Sequence, residues 1–321
     1  MCVILYTKIN GKQILAKNRD RTHNPEIKIF HEIRNGVEIA YISDTKTGWV
    51  EGMSENNCGI VNSTLNIKDS KIVVQRSNFL RAKTHAIYKA LYQKNIKKFF
   101  DELIKNENFE GNTLLVYENR PYHIEDSLSK EYTIDEVKKT SVYTNHGVNM
   151  QNTGFIKGAK GLSSFIRRRI VEKELEKELE NLEGKCETQN HIYDKISHVL
   201  NKDYKNIDPR FHPYRDKSTT LKRVNNINKN KKIVSTTGQL ILNITDKELV
   251  YFSDENNSSK CVKYINKLPA SYIPKIRVIV KYTKKNTQTR KIFPKKYLND
   301  ILYRFNSNKT RKHHYTEQKE K

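Results

Sequence analysis

The chain has 321 residues, 36% of them hydrophobic and 30% charged, with a formal net charge of +24. That length can bury a substantial core as one large domain or two small ones, but no stretch approaches the ~18 consecutive apolar residues of a membrane helix. The start, MCVILYTKINGK, lacks a basic segment followed by a long apolar core, so no signal peptide is expected and a cytoplasmic location is.

Cys2 opens an apolar run to Tyr6, Asn10-Gly11 supplies a hairpin turn, and Gln13 to Ala16 forms the return strand. A strand apolar on both faces belongs inside a layered structure. Further strands are expected at Val37 to Ile42, Gly59 to Leu65, Thr113 to Tyr117, Tyr122 to Glu125 and Ser141 to Thr144. Between them, Ile87 and Leu91 mark one helix, and Ile96, Phe99, Phe100, Leu103 and Ile104 form the apolar face of another. A long helix is expected from Ser163, with Ser163 or Ser164 as its cap. Its stripe is Ile166, Ile170, Leu175, Leu179 and Leu182, and Gly184 ends it. Arg215 to Lys232 reads as a polar, basic loop. Two core strands follow, Ile233 to Ile244 and Glu248 to Phe252, turning at Thr245-Asp246. Val278 to Tyr282 is a candidate further strand, and Lys309 to Lys321 has the composition of a disordered tail. Strands alternating with helical blocks predict an α+β or α/β protein. The expected division is a catalytic-size domain over residues 1–267 and a basic, partly disordered extension over 268–321.

The charge is uneven. From Ser271 to Lys321 there are 15 Lys or Arg against 3 Asp or Glu, which is half the net excess in the last sixth of the chain. Such a tail can hold phosphates or an anionic surface, nucleic acid included. It can equally reflect the abundance of Lys, Asn, Ile and Tyr throughout the sequence, since no aromatic-basic motif of a nucleic-acid module accompanies it. The four cysteines, Cys2, Cys58, Cys186 and Cys261, show neither Cys-x-x-Cys spacing nor a zinc-ligand cluster with His.

Cys2 is the exception among them. Cysteine is small enough for the initiator Met to be removed, which leaves an α-amine and a thiol on one residue. With a pKa of about 7.7–8.0 that amine is partly neutral near pH 7 and can take the thiol proton without a separate histidine.

The hairpin partner ends in Lys17-Asn18-Arg19-Asp20. This resembles the cysteine N-terminal-nucleophile hydrolases: choloylglycine hydrolases, the penicillin acyltransferase-like group, acid amidases and related dipeptidases. In these an N-terminal Cys opens one strand and its partner ends in Arg-Asn-x-Asp or Lys-Asn-x-Asp. Three more segments match in order. Gly52-Met53-Ser54-Glu55-Asn56-Asn57-Cys58-Gly59-Ile60 is similar to the family's Gly-x-Asn-Glu-x-Gly-Leu loop, with one insertion. Tyr143-Thr144-Asn145-His146-Gly147 is similar to its Thr-Asn-His, and Ser163-Ser164-Phe165-Ile166-Arg167 to its Ser-Ser-x-x-Arg. A looser match joins Asp208-Pro209-Arg210-Phe211-His212-Pro213 to Thr236-Thr237-Gly238-Gln239-Leu240 and Leu249-Val250-Tyr251-Phe252, so the resemblance spans residues 1–265.

The resemblance implies a four-layer αββα sandwich and an amide hydrolase acting on linear C–N bonds through a thioester acyl-enzyme, with no metal or organic cofactor. It implies Cys2 as nucleophile, and Asp20 holding the α-ammonium and thiol in register. Asn145 would donate to the oxyanion, a contribution of ~3 kcal/mol to the barrier. Arg167 would point back into the site, where a cation favours thiolate. Asn66, Lys17 and Asn18 are the matching substrate or oxyanion positions, and His146 reads as structural or pocket-lining. Position 17 is Lys where bile-salt hydrolases and acid amidases carry Arg, and Lys-Asn-x-Asp-Arg, with Arg21, leans towards the dipeptidase-like branch. Acyl transfer and dipeptidase activity are therefore alternatives within the family. A non-enzymatic basic protein binding nucleic acid or an anionic surface on a degenerate hydrolase scaffold is the alternative from another class.

Overall fold

The computed structural model describes residues 2–21, 25–65, 85–104, 111–126, 132–150, 159–182, 184–185, 187–201, 235–254 and 262–283. Two sheets face each other. The first has six strands: β1 (Val3–Ile9), β2 (Lys12–Arg21), β10 (Ser141–Tyr143), β11 (Ser235–Asn243), β12 (Glu248–Asp254) and β14 (Arg277–Thr283), in the order β10-β1-β2-β11-β12-β14. The second has eight: β3 (Ile27–Arg34), β4 (Val37–Asp44), β5 (Trp49–Ser54), β6 (Cys58–Ser63), β7 (Gly111–Tyr117), β8 (Arg120–Asp126), β9 (Tyr132–Glu136) and β13 (Lys263–Asn266), in the order β13-β3-β4-β5-β6-β7-β8-β9. All pairings are antiparallel except β12 with β14 and β13 with β3.

The strand period of two sorts side chains into layers. Ile4, Tyr6, Leu15, Leu240 and Leu242 of the first sheet meet Ile29, Ile42, Met53, Val61, Leu114 and Val116 of the second in one buried core. The alternate residues, Val3, Leu5, Ile14, Ala16 and Ile241, pack outward on α3 (Ala159–Leu182) and α4 (Gln189–Asn201). On the far side Ile39, Tyr41, Ile60 and Leu115 pack under α1 (His85–Leu91) and α2 (Ile96–Ile104). The layers are helix, sheet, sheet, helix, so the expected αββα sandwich is present.

The first hairpin follows its turn chemistry. Ile9 pairs with Lys12, leaving Asn10-Gly11 as a two-residue loop with φ of +48° and +80°, the left-handed pair that a type I′ turn demands. Gly59 answers a different need, because a Cβ there would run into the Ile244 side chain from the opposite sheet.

Several elements differ from expectation. β3, β5, β9, β13 and α4 had not been anticipated. β3 carries its Ile residues in alternation with Lys28, Phe30, Glu32 and Arg34, a strand signal diluted by charge. The long helix starts at Ala159, not at Ser163 or Ser164. The sheet also runs past residue 267, since β14 lies along β12, with Ile276 buried and Val278 and Val280 against the inter-sheet core. The expected loop at 215–232 and tail at 309–321 fall outside the described residues.

Candidate active site

Cys2 sits immediately before β1 and is buried, on the same face as Ile4 and Tyr6, so its side chain enters the space between the sheets. Its Sγ lies 3.9 Å from the Asp20 carbonyl and 3.6 Å from Arg21 Nη1. Arg21 is itself held by the Asp20 carbonyl at 2.9 Å and faces Asp44 Oδ2 at 3.6 Å.

Alternation along β2 explains this cluster. Lys17, Arg19 and Arg21 all point between the sheets, where β5 presents Glu51 and β4 presents Asp44. The Glu51 carboxylate receives Lys17 Nζ, Arg19 Nη1 and, at 3.2 Å, the Asn62 N–H, and Lys17 also donates to the Asn62 carbonyl. Lys17, Arg19 and Glu51 are fully buried. An ion cluster this deep persists only because each member is paired. Burial pushes Glu51 up, but Lys17, Arg19 and Arg21 pull it below the usual carboxyl range. Burial likewise lowers Lys17, against the opposing pull of Glu51 and Cys2. For Cys2, burial raises the thiol, while Lys17, the amino terminus and Arg21 lower it against Asp20. The result falls from 9.0 to about 7.

Even-numbered residues of β2 leave on the other face. Asn18 Nδ2 donates to the Leu200 carbonyl of α4 at 2.8 Å, and its Oδ1 accepts Gln239 Nε2. Asn18 therefore ties the sheet to a helix and does not reach Cys2, contrary to the expected substrate or oxyanion position. Lys17 is on the correct face, though already committed to Glu51 and the Asn62 carbonyl. Asp20 accepts Thr236 Oγ1 at 2.8 Å through its carboxylate, and its carbonyl is the group that meets Cys2 Sγ. The register of β11 against β2 shifts between Thr236 and Gln239, a bulge beside the site that lets Thr237 Oγ1 donate to the Arg19 carbonyl.

Asn145 follows β10. Its Oδ1 accepts Cys2 N at 3.1 Å and Arg167 Nη2 at 3.0 Å. Arginine only donates, so the amide orientation is fixed with oxygen towards Cys2. The Asn145 Nδ2 group is engaged with Ser63 Oγ at 3.0 Å and the Thr64 carbonyl at 2.6 Å. The donor expected to serve an oxyanion is thus occupied, and an acceptor faces the Cys2 nitrogen instead. That nitrogen is a peptide N–H while Met1 is attached and becomes the α-amine once Met1 is removed.

Arg167, fully buried, sends Nη1 to the Cys2 carbonyl at 3.1 Å and Nε to the Ser163 carbonyl at 3.2 Å. Its guanidinium is turned towards Cys2 and Asn145. What it touches is the main chain of Cys2, and the cations that lower the thiol are Lys17, the amino terminus and Arg21. Asn66 lies outside the described residues.

The segment carrying Asn145 is clamped from several sides. Ser164 Oγ accepts the Asn145 N–H at 2.8 Å and meets Thr144 Oγ1 and His146 Nδ1 at 2.7 and 2.9 Å. Asn112 Nδ2 donates to the Thr144 and His146 carbonyls, both at 3.0 Å. The Glu125 carboxylate collects the successive N–H groups of Val148, Asn149 and Met150 at 2.9 to 3.1 Å. His146 stacks on Phe165, and burial with Arg168 and Arg167 nearby lowers it from 6.5 to about 3. It is held neutral and packs against Phe165.

Arg21, Glu51, Ser63, Ser164, Asn112 and Glu125 were not singled out as site residues from sequence. Arg21 had a signal, its place directly after the Lys-Asn-x-Asp motif, and Ser164 had another, its place in the Ser-Ser-x-x-Arg match.

No known family model matches the sequence, and no curated protein matches it. Among solved structures it is similar to penicillin V acylase from Agrobacterium tumefaciens, with a TM-score of 0.41 and 10% identity over 79% of this chain and 86% of that one. It is also similar to two variants of conjugated bile acid hydrolase from Clostridium perfringens. One has a TM-score of 0.45 at 12% identity, over 78% of this chain and 89% of that one. The other has a TM-score of 0.44 at 11% identity, over 90% of this chain and 100% of that one. The fold assignment itself rests on the layers and registers of this chain. Among the described residues no helix is long and apolar enough to cross a membrane.

Proposed function

We propose that the chain is an amidohydrolase in which Cys2, freed by removal of Met1, is the nucleophile for a linear amide. The observation that supports this most is the separate tethering of two atoms of one residue. Cys2 N lies 3.1 Å from the Asn145 amide oxygen, and Cys2 Sγ lies 3.6 Å from Arg21 Nη1. A carbonyl-type acceptor suits an α-ammonium, and a guanidinium suits a thiolate.

The reaction then runs in two halves. The thiol proton passes to the α-amine, Sγ bonds to the substrate carbonyl carbon, and charge collects on the oxygen. The α-ammonium returns a proton to the leaving nitrogen, the C–N bond breaks and a thioester remains. Water, deprotonated by the α-amine, attacks the thioester and the thiolate leaves. An amine in place of water gives acyl transfer. Arg167 and Asn145 hold the main chain of Cys2 at both its carbonyl and its nitrogen, and Asp20 presents the carbonyl opposite the sulfur.

The test combines intact mass with trapping. The active protein should lack Met1, and incubation with N-acyl amino acids and dipeptides should leave an acyl adduct on the Cys2 peptide in wild type and none in Cys2→Ala. A chain that keeps Met1 in full and still cleaves an amide rules the reading out.

A further inference from the structure

Position 17 is Lys, and that Lys is spent on Glu51 and the Asn62 carbonyl, so it offers the sulfur charge at a distance but no contact. The side chain that does reach Cys2 Sγ is four residues further along the same strand face. We propose that Arg21 is a further catalytic residue, the resident counter-cation that holds Cys2 as a thiolate before any substrate binds. This rests on the reading of Cys2 as nucleophile.

Three observations carry it. Arg21 Nη1 is 3.6 Å from Sγ, an N–H to sulfur distance. The guanidinium is aimed, since Nη1 also donates to the Asp20 carbonyl at 2.9 Å and Nε faces Asp44 Oδ2 at 3.6 Å. Among the described residues, the sulfur also continues the row of ion pairs on this face. Lys17, Arg19 and Arg21 project from one face of β2, while Glu51 and Asp44 are the carboxylates facing them in these ion pairs. A thiolate adds a negative charge to that row. The other charged groups around Cys2 are the Asp20 carboxylate, tied to Thr236 on the opposite face, the amino terminus, and Arg167, which binds the Cys2 carbonyl.

The consequence for the chemistry is a shift of labour. The proton leaves Sγ for the α-amine in the resting protein, S–H and amine becoming thiolate and ammonium, and the guanidinium keeps the sulfur charged. The amino group then meets the substrate as an acid, ready for the leaving nitrogen, and the attack step involves no proton transfer.

Alkylation reads this without any substrate, so it stands apart from the success or failure of the amidase assay. The processed protein is treated with iodoacetamide across pH 5 to 10, and Cys2 modification is followed by peptide mass. Cys58, buried with its thiol pushed up by burial, serves as the unreactive internal control. The wild-type rate should reach half its plateau near pH 7, and Arg21→Gln and Arg21→Met should each move that midpoint up by one pH unit or more, slowing alkylation at pH 7 about tenfold. An unshifted midpoint in either folded variant overturns the proposal. Should neither variant fold, Arg21→Lys takes their place: its shorter reach towards the sulfur should move the midpoint up by a smaller step, and an unmoved midpoint overturns the proposal, as does a wild-type midpoint at or above the free-thiol value of about 8.5.

Discussion

The Ser164 hydroxyl accepts the main-chain N–H of Asn145 at 2.8 Å, although Ser164 belongs to a helix that has already begun at Ala159. The hydroxyl is therefore free of capping duty and acts across space on the segment that faces Cys2. Ser164→Ala leaves the buried Asn145 N–H without its partner, a loss of about 1–3 kcal/mol. Because the same change loosens the Asn145 oxygen against Cys2 N, kcat should fall about tenfold to a hundredfold with KM nearly unchanged. Urea unfolding and steady-state kinetics check the two halves, and a fall in KM-limited binding with intact kcat would contradict the second.

Glu51 gathers Lys17 and Arg19 in a fully buried space. Glu51→Gln keeps the shape and removes the charge, so two cations lose their counter-ion at a cost of about 3–5 kcal/mol. The pH dependence follows from the sign of its shift. A carboxyl held below its ordinary value in the fold contributes stability that is present above the unfolded value of about 4.3 and lost as pH falls through the folded one. Urea midpoints measured from pH 7 down to pH 3 should fall less steeply for Glu51→Gln than for wild type. Parallel curves would refute the assignment.

Activity should show a bell-shaped pH profile. The rising limb belongs to the Cys2 thiol, which must lose its proton and does so at about 7. The falling limb belongs to the α-ammonium, which must keep a proton for the leaving amine. His146, lowered to about 3, adds no limb in the working range. A profile of kcat/KM from pH 5 to 10 measures this, and His146→Gln should leave both limbs in place.

The basic C-terminal region invites truncation, and the cut matters. Deleting residues 271–321 would remove β14 and with it Ile276, whose N–H, with that of Lys275, binds the Glu38 carboxylate at 2.8 and 2.9 Å. That deletion should abolish cooperative unfolding. A chain ending at Thr283 keeps β14 and tests the proposal that the tail docks on anionic surfaces: binding to phosphatidylserine vesicles at low salt should weaken. Undiminished binding would remove the tail from consideration.

How much of this could be read from residues alone varied with the range of the interaction. The Asn10-Gly11 hairpin and the return of Asp20 to Cys2 were legible because turn chemistry and strand length are local. The layering followed from runs such as CVILY, which no half-exposed sheet would tolerate. Glu51 was not legible: a single Glu within WVEGMS looks like any surface strand residue until the opposite sheet brings Lys17 and Arg19 against it. Ser164 carried a misleading local signal, since Ser before an apolar stripe reads as a cap. Asn18 shows the same limit from the other side, because the motif fixed its place in the chain and the pleat decided which way it pointed.

That pleat constrains how the protein can change. Because Lys17, Arg19 and Arg21 leave β2 towards the second sheet while Asn18 and Asp20 leave on the opposite face, loss of one residue between the turn and Asp20 would exchange the two sets. Guanidinium groups would be driven among Ile14, Ala16 and the helices, and amides would meet Glu51. Gene lineages descended from this one should therefore lengthen or shorten that strand by pairs of codons, or absorb a single one in a bulge.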